Sequence, residues 1–166
     1  MKIVIEDAKK EDVDRLAEIY SSPDLHRMKD RALWYVNCYF DYHHIKIARV
    51  DGVIQGACFW RIEGEKVWGF GWIEDLWVEK EHRKKGLGEK LLRAALDEMK
   101  IFFEKDGIRM RRVALTTDMI NKNARQLYEK LGFRNVANIT DIYEEDKDSL
   151  FYVLVPKAII PKREVN

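Results

Sequence analysis

Apolar and charged residues alternate through Lys2-Ile3-Val4-Ile5-Glu6-Asp7, after which the apolar positions recur every three or four residues. The first pattern predicts a strand. In the second, Val13, Leu16, Ala17, Ile19 and Tyr20 predict a helix over 9–20, with acidic residues near its start, where the helix dipole favours them. A second helix is expected over 23–44, opened by Pro23, with Leu25, Met28, Ala32, Leu33, Val36 and Phe40 as its buried stripe. Strands follow over 44–50 and 53–62, joined at Asp51-Gly52, a dipeptide suited to a two-residue hairpin turn. Residues 63–66 turn the chain again, and 66–79 read as a third extended run whose glycines signal irregularity or close backbone approach.

In the second half, Leu91, Leu92, Ala95, Leu96, Met99 and Phe102 share one face of the longest helix, expected over 89–107 with Gly107 at its stop. Residues 111–118 read as a buried strand and 121–133 as a short helix, with Asn121 near its cap and Gly132 at its end. The runs 135–145 and 149–156 form a last antiparallel pair. This order predicts an α/β (α+β) fold with a mixed, largely antiparallel sheet of about seven strands and helices on both faces, unlike a doubly wound fold.

Composition adds limits. A chain of 166 residues has room for one domain with a core of its own, so 1–166 is expected to be a single domain. Thirty basic residues against 29 acidic ones give a net charge of +1, which makes nucleic acid an unexpected partner, and the basic run at Arg109 reads as a solvated turn. With no signal-like start and no apolar run near the roughly 20 residues of a membrane helix, the protein is expected to be cytoplasmic and away from the membrane. Cys38 and Cys58 lack paired spacing and read as buried thiols; Asn138-Ile139-Thr140 reads as a chance sequon. His43 and His44 are adjacent with no third ligand nearby, so no metal is expected. Trp60, Trp68, Trp72 and Trp77 suit core packing of a sheet, with one or two able to face an amine through cation–π contact.

The remaining motif is Arg83-Lys84-Lys85-Gly86-Leu87-Gly88, an R-x-x-G-x-G run between a strand and the longest helix. Bare amides at a helix start bind anions. A dinucleotide fingerprint would place glycine where Leu91 stands, and a Walker loop would need Gly-Lys-Ser/Thr, so both nucleotide readings fail. Alone, the hexapeptide also fits a helix entrance with no ligand.

With its surroundings it resembles the GNAT N-acetyltransferase superfamily. The stretch 73–92 is similar to the family's central strand, pyrophosphate loop and helix, and Asn121, Ala124, Tyr128, Gly132 and Phe133 match its second signature. The likeness is strong over 72–133 and before that rests on element order. It implies acetyl-CoA as co-substrate, bound in a cleft where the parallel strands 73–78 and 113–117 splay apart. It implies that the backbone of Leu76, Trp77 and Val78 receives the pantetheine arm, with an amide near Trp77 or Val78 on the acetyl oxygen. Arg83, Lys84, Lys85 and the amides of Gly86, Leu87 and Gly88 would take the pyrophosphate. Tyr128 would be the general acid, and Asn121 would hold the backbone or the pantetheine arm unless it only caps its helix.

Removing the amine's proton falls to Glu74, to Asp75 or to a water relay; strand alternation puts the two carboxylates on opposite sides unless a bulge re-aims one. Because Cys38 and Cys58 lie outside the motifs, direct attack by the amine is expected, with no acyl-enzyme. Acidic residues beside the cleft favour a small cationic amine such as a polyamine, with a protein N-terminus or lysine as the rival acceptor. A regulatory module that binds CoA without turnover is the alternative of another class. The resemblance also allows a homodimer paired through 149–156.

Overall fold

A computed structural model of the chain describes residues 2–21, 29–42, 44–143 and 145–156. Strand β1 (Ile3–Asp7) leads into helix α1 (Val13–Tyr20) and helix α2 (Lys29–Tyr42). Strands β2 (His44–Val50), β3 (Val53–Ile62) and β4 (Phe70–Val78) follow, then helix α3 (Leu87–Glu104). Strand β5 (Arg112–Asp118), helix α4 (Lys122–Lys130) and strands β6 (Arg134–Thr140) and β7 (Asp148–Leu154) complete the order. Pro23, Leu25 and Met28 of the expected second helix lie outside the described residues. The extended run expected from 66 starts later, because Lys66–Trp68 form a 3-10 turn closed by Gly69 at φ 61°.

The seven strands form one sheet in the order β1-β2-β3-β4-β5-β7-β6. Every neighbouring pair is antiparallel except β4 and β5. On one face, α3 and α4 cover Cys58, Trp60, Ile73, Val113 and Leu115 with Leu91, Leu92, Met99 and Tyr128. On the other, α1 and α2 cover Ile47, Phe59 and Trp77 with Leu16, Tyr20 and Val36. Each large apolar side chain so buried contributes about 1.5–3 kcal/mol. Gly71 permits the closest approach of α3: a Cβ there would lie 2.0 Å from Met99 Sδ.

Strand β7 lies between β5 and β6 with both edges paired, which explains its apolar sequence and corrects the expected dimer contact. The open edges belong to β1 and β6.

The site is set by how briefly the parallel pair holds together. Phe70, Gly71 and Trp72 pair with Arg112, Val113 and Ala114, and no further rungs join the two strands. Beyond them β4 runs on to Val78 and β5 stays with β7, so a wedge opens in the sheet.

Candidate active site

Along β4, Asp75 pairs with Phe59 and Ile73 with Trp60, which leaves Glu74 as one extra residue, a bulge. Ile73 and Leu76 both pack on the α3 side. Asp75 instead meets Tyr20 of α1, and Glu74 meets Arg61, two residues beyond Phe59 of the α1–α2 side. The bulge therefore puts both carboxylates on the α1–α2 side, where plain alternation would have divided them.

It also inverts the backbone phase. Glu63 N donates to Phe70 O and, past the bulge, Glu79 N to Gln55 O, each at 2.8 Å, so even-numbered residues face β3 before the bulge and odd-numbered ones after it. By alternation the N–H and C=O groups of Leu76 and Val78 point into the wedge, and those of Trp77 point back to β3. The donor expected near Trp77 or Val78 is thus Val78's amide, with Leu76's beside it. The Trp77 side chain is buried in the α1–α2 core.

Both carboxylates are engaged. Arg61 Nε donates to Glu74 Oε2 at 3.0 Å, and the same guanidinium binds Glu63. The Tyr20 hydroxyl donates to Asp75 Oδ2 at 2.6 Å. Arg61 also lies 5.5 Å from the ring centre of Trp72, so the protein's own cation occupies the aromatic face that the sequence offered to an amine. Of the other tryptophans, Trp60 and Trp77 are core and Trp68 is exposed.

The loop after β4 reaches α3 through two left-handed residues, Lys84 at φ 59° and Gly86 at φ 80°. Gly86 is the N-cap of α3, and no side chain caps the helix. The first amides of such a helix have no intrahelical acceptor and carry the positive end of its dipole. Leu87 buries its side chain in the core, whereas Arg83, Lys84 and Lys85 are exposed. Arg83 Nε donates to Val78 O at 2.8 Å, which folds the side chain against the mouth of the wedge. Gly88 is helical, and a Cβ there would make only ordinary contacts, 3.5 Å from Leu127 Cδ2 and 3.7 Å from Val78 Cγ2.

Tyr128 is 7% exposed, with its ring 6.0 Å from those of Phe133 and Tyr152. Burial pushes its phenol well above the ordinary tyrosine range, and the charges of Cys58 and Asp75 push it the same way. The Cys58 thiol is fully buried and also driven upward, first by burial and then by Asp75 and Glu98. Asn121 Oδ1 accepts from Ala124 N at 3.1 Å, the capping role that the sequence left as one of two possibilities. Tyr143, in the β6–β7 loop, shares a 2.8 Å hydrogen bond with Thr116 of β5. His43 lies outside the described residues; His44 stacks on Trp60 at 3.9 Å. Among the described residues, no group of three or more His, Cys, Asp or Glu could hold a metal ion, and no helix is long and apolar enough to cross a membrane.

Comparison with known proteins decides the class. Residues 5–133 match the family model described as Acetyltransferase (GNAT) family. The chain belongs to the GNAT acetyltransferases. An N-alpha-acetyltransferase of Sulfurisphaera tokodaii is 29% identical over 130 residues, 67% of this chain and 72% of that protein. Among solved structures, an aminoglycoside 6′-N-acetyltransferase complexed with coenzyme A superposes with TM-score 0.77 at 15% identity, covering 93% of this chain and 99% of that one. The ribosomal-protein-S18-alanine N-acetyltransferase of Escherichia coli gives 0.74 at 17% identity, covering 97% and 98%.

As a GNAT acetyltransferase the protein is an acetyl-CoA-dependent acyltransferase. Its own features fit that donor: uncapped amides for a diphosphate, three exposed cations beside them, and an unpaired strand edge leading inward. Sequence reasoning missed Tyr20 and Arg61. Tyr20 had been read only as part of an apolar stripe, and nothing local to Arg61 marks it as the partner of a residue thirteen positions on.

Proposed function

We propose that this GNAT acetyltransferase acetylates the α-amino group at a protein or peptide N-terminus, by direct attack of the amine, and that 1–166 form one catalytic domain. The observation that carries the acceptor is the engagement of both carboxylates, Glu74 by Arg61 and Asp75 by Tyr20. A lysine or polyamine nitrogen, with pKa about 10.4, is neutral in only about one molecule per thousand at pH 7.4; an α-amine, near 7.8, is neutral in roughly one in four. The first needs a dedicated base. The second needs a place to sit and a water to take its proton. A carboxylate tied to a guanidinium is a fixed charge rather than a mobile base, and Arg61 brings positive charge to the spot where a polyamine would have to bind. The name of the Sulfurisphaera relative agrees with this acceptor.

Acetyl-CoA supplies the activated acyl group. In this reading Arg83, Lys84, Lys85 and the amides of Gly86, Leu87 and Gly88 hold its pyrophosphate, and the backbone of Leu76 and Val78 receives the pantetheine arm. The Val78 amide stabilises the acetyl oxygen as charge gathers there. Tyr128, kept protonated by burial, gives its proton to the departing sulfur. Glu74 and Asp75 orient the amine on the α1–α2 side.

Mass spectrometry of mixtures with acetyl-CoA and, separately, a peptide with a free N-terminus, an N-blocked lysine peptide and spermidine tests the acceptor. The expected product is the N-terminally acetylated peptide, with at least about tenfold higher kcat/KM than for the other two. Preferred acetylation of spermidine restores the polyamine assignment, and cofactor binding with no product on any amine supports a regulatory module.

A further inference from the structure

Tyr20 has no exposed surface. Its ring stands edge-on to Phe59 at 5.3 Å and tilted to Tyr39 at 5.6 Å, in the apolar cluster between α1, α2 and the sheet. Phenylalanine would fill that space equally well, and a buried hydroxyl costs stability unless it is hydrogen-bonded. Here the hydroxyl crosses to the sheet and meets Asp75 Oδ2 at 2.6 Å, the short distance of a charge-assisted bond. Helix α1 is tied to the same strand region a second time: Arg15 donates to Glu79 Oε1 at 3.0 Å, just past the end of β4. Two polar ties, one toward the bulge and one at the entrance to the glycine loop, fix the helix against the strand that carries the site.

We propose that Tyr20 is a positioning residue for acyl transfer: α1 holds its hydroxyl in place, and the hydroxyl fixes the Asp75 carboxylate on the acceptor side of the wedge. The proposal rests on the reading that the amine approaches from the α1–α2 side. It gives Asp75 a role separate from that of Glu74, whose orientation Arg61 sets from the neighbouring strand. It also gives α1, which contributes no residue to the glycine loop or the second signature, a direct link to the reaction.

A double-mutant cycle tests it, using wild type, Tyr20→Phe, Asp75→Asn and the double variant, with whichever amine of the panel wild type turns over. Acetyl-CoA affinity is measured by calorimetry and folding by thermal unfolding. Tyr20→Phe is expected to lower kcat/KM for the amine about tenfold or more, with acetyl-CoA affinity within about twofold of wild type. The double variant should be no slower than the slower single one, because both changes remove one interaction. Wild-type kinetics in Tyr20→Phe, losses that multiply in the double variant, or a loss confined to cofactor affinity or thermal stability would each overturn the assignment. Because the cycle follows the amine that reacts, preference for spermidine defeats the N-terminal acceptor and leaves this proposal standing. Absence of turnover on every amine defeats both.

Discussion

Arg61 Nε and Glu74 Oε2 lie 3.0 Å apart across the β3–β4 pair, so the residue expected to act as the base is held by a guanidinium that also binds Glu63. A base must be free to take a proton, whereas a member of an ion-paired chain shapes the site. Glu74→Gln should therefore lower kcat/KM for an α-amine substrate by less than about tenfold. Steady-state kinetics decides this; a thousandfold loss would return Glu74 to the role of base.

Tyr128 presents the opposite situation. Its phenol, raised first by burial and then by the charges of Cys58 and Asp75, keeps its proton well into the alkaline range. Tyr128→Phe should lower kcat about a hundredfold with acetyl-CoA binding little changed. The wild-type rate should show no alkaline fall from this group below about pH 10.

The same burial predicts a stability profile. Cys58 and Tyr128 both hold protons in the folded chain that the unfolded chain releases near about pH 8.5 and 10. Their contribution is fully present below those values and is lost as pH rises toward the folded values, because the folded state then binds more protons than the unfolded one. Chemical denaturation from pH 7 to 10.5 should show stability falling from about pH 8.5, and Cys58→Ala should remove the decline below about pH 10.

The two loop glycines separate folding from binding. Gly86 sits at φ 80° with open space around a would-be Cβ, so Gly86→Ala meets only backbone strain, about 1–2 kcal/mol. Gly88 is helical and has room for a methyl group, so Gly88→Ala should keep or slightly raise the unfolding temperature. If the ligand approaches that backbone as proposed, calorimetry should still record weaker acetyl-CoA binding to Gly88→Ala. Unchanged affinity would place the pyrophosphate elsewhere.

Much of this molecule is legible in its sequence because period and punctuation agree. The stripe of Leu91, Leu92, Ala95 and Met99 gives α3, Asp51-Gly52 gives the β2–β3 turn, and Asn121 with Ala124 gives a cap that the structure contains. What could not be read depends on partners distant in sequence. The facing of Glu74 and Asp75 is set by the register against Phe59 and Trp60, and register belongs to a pair of strands. Tyr20 keeps the same helical spacing whether its hydroxyl is wet or bonded to Asp75. An apolar β7 reads as a strand, but whether it is an edge or an interior strand depends on β5 and β6 together.

The bulge in β4 carries a consequence for how this chain can vary. Loops absorb gained or lost residues, but here the parity of the residue count decides which peptide groups meet the coenzyme. Deleting Glu74 would spare the hydrophobic layers yet rotate every later rung by half a turn, swapping the Val78 amide for Trp77's indole-bearing neighbour. A single extra residue thus serves as a switch of frame, and the cleft's donors exist only in one of its two settings.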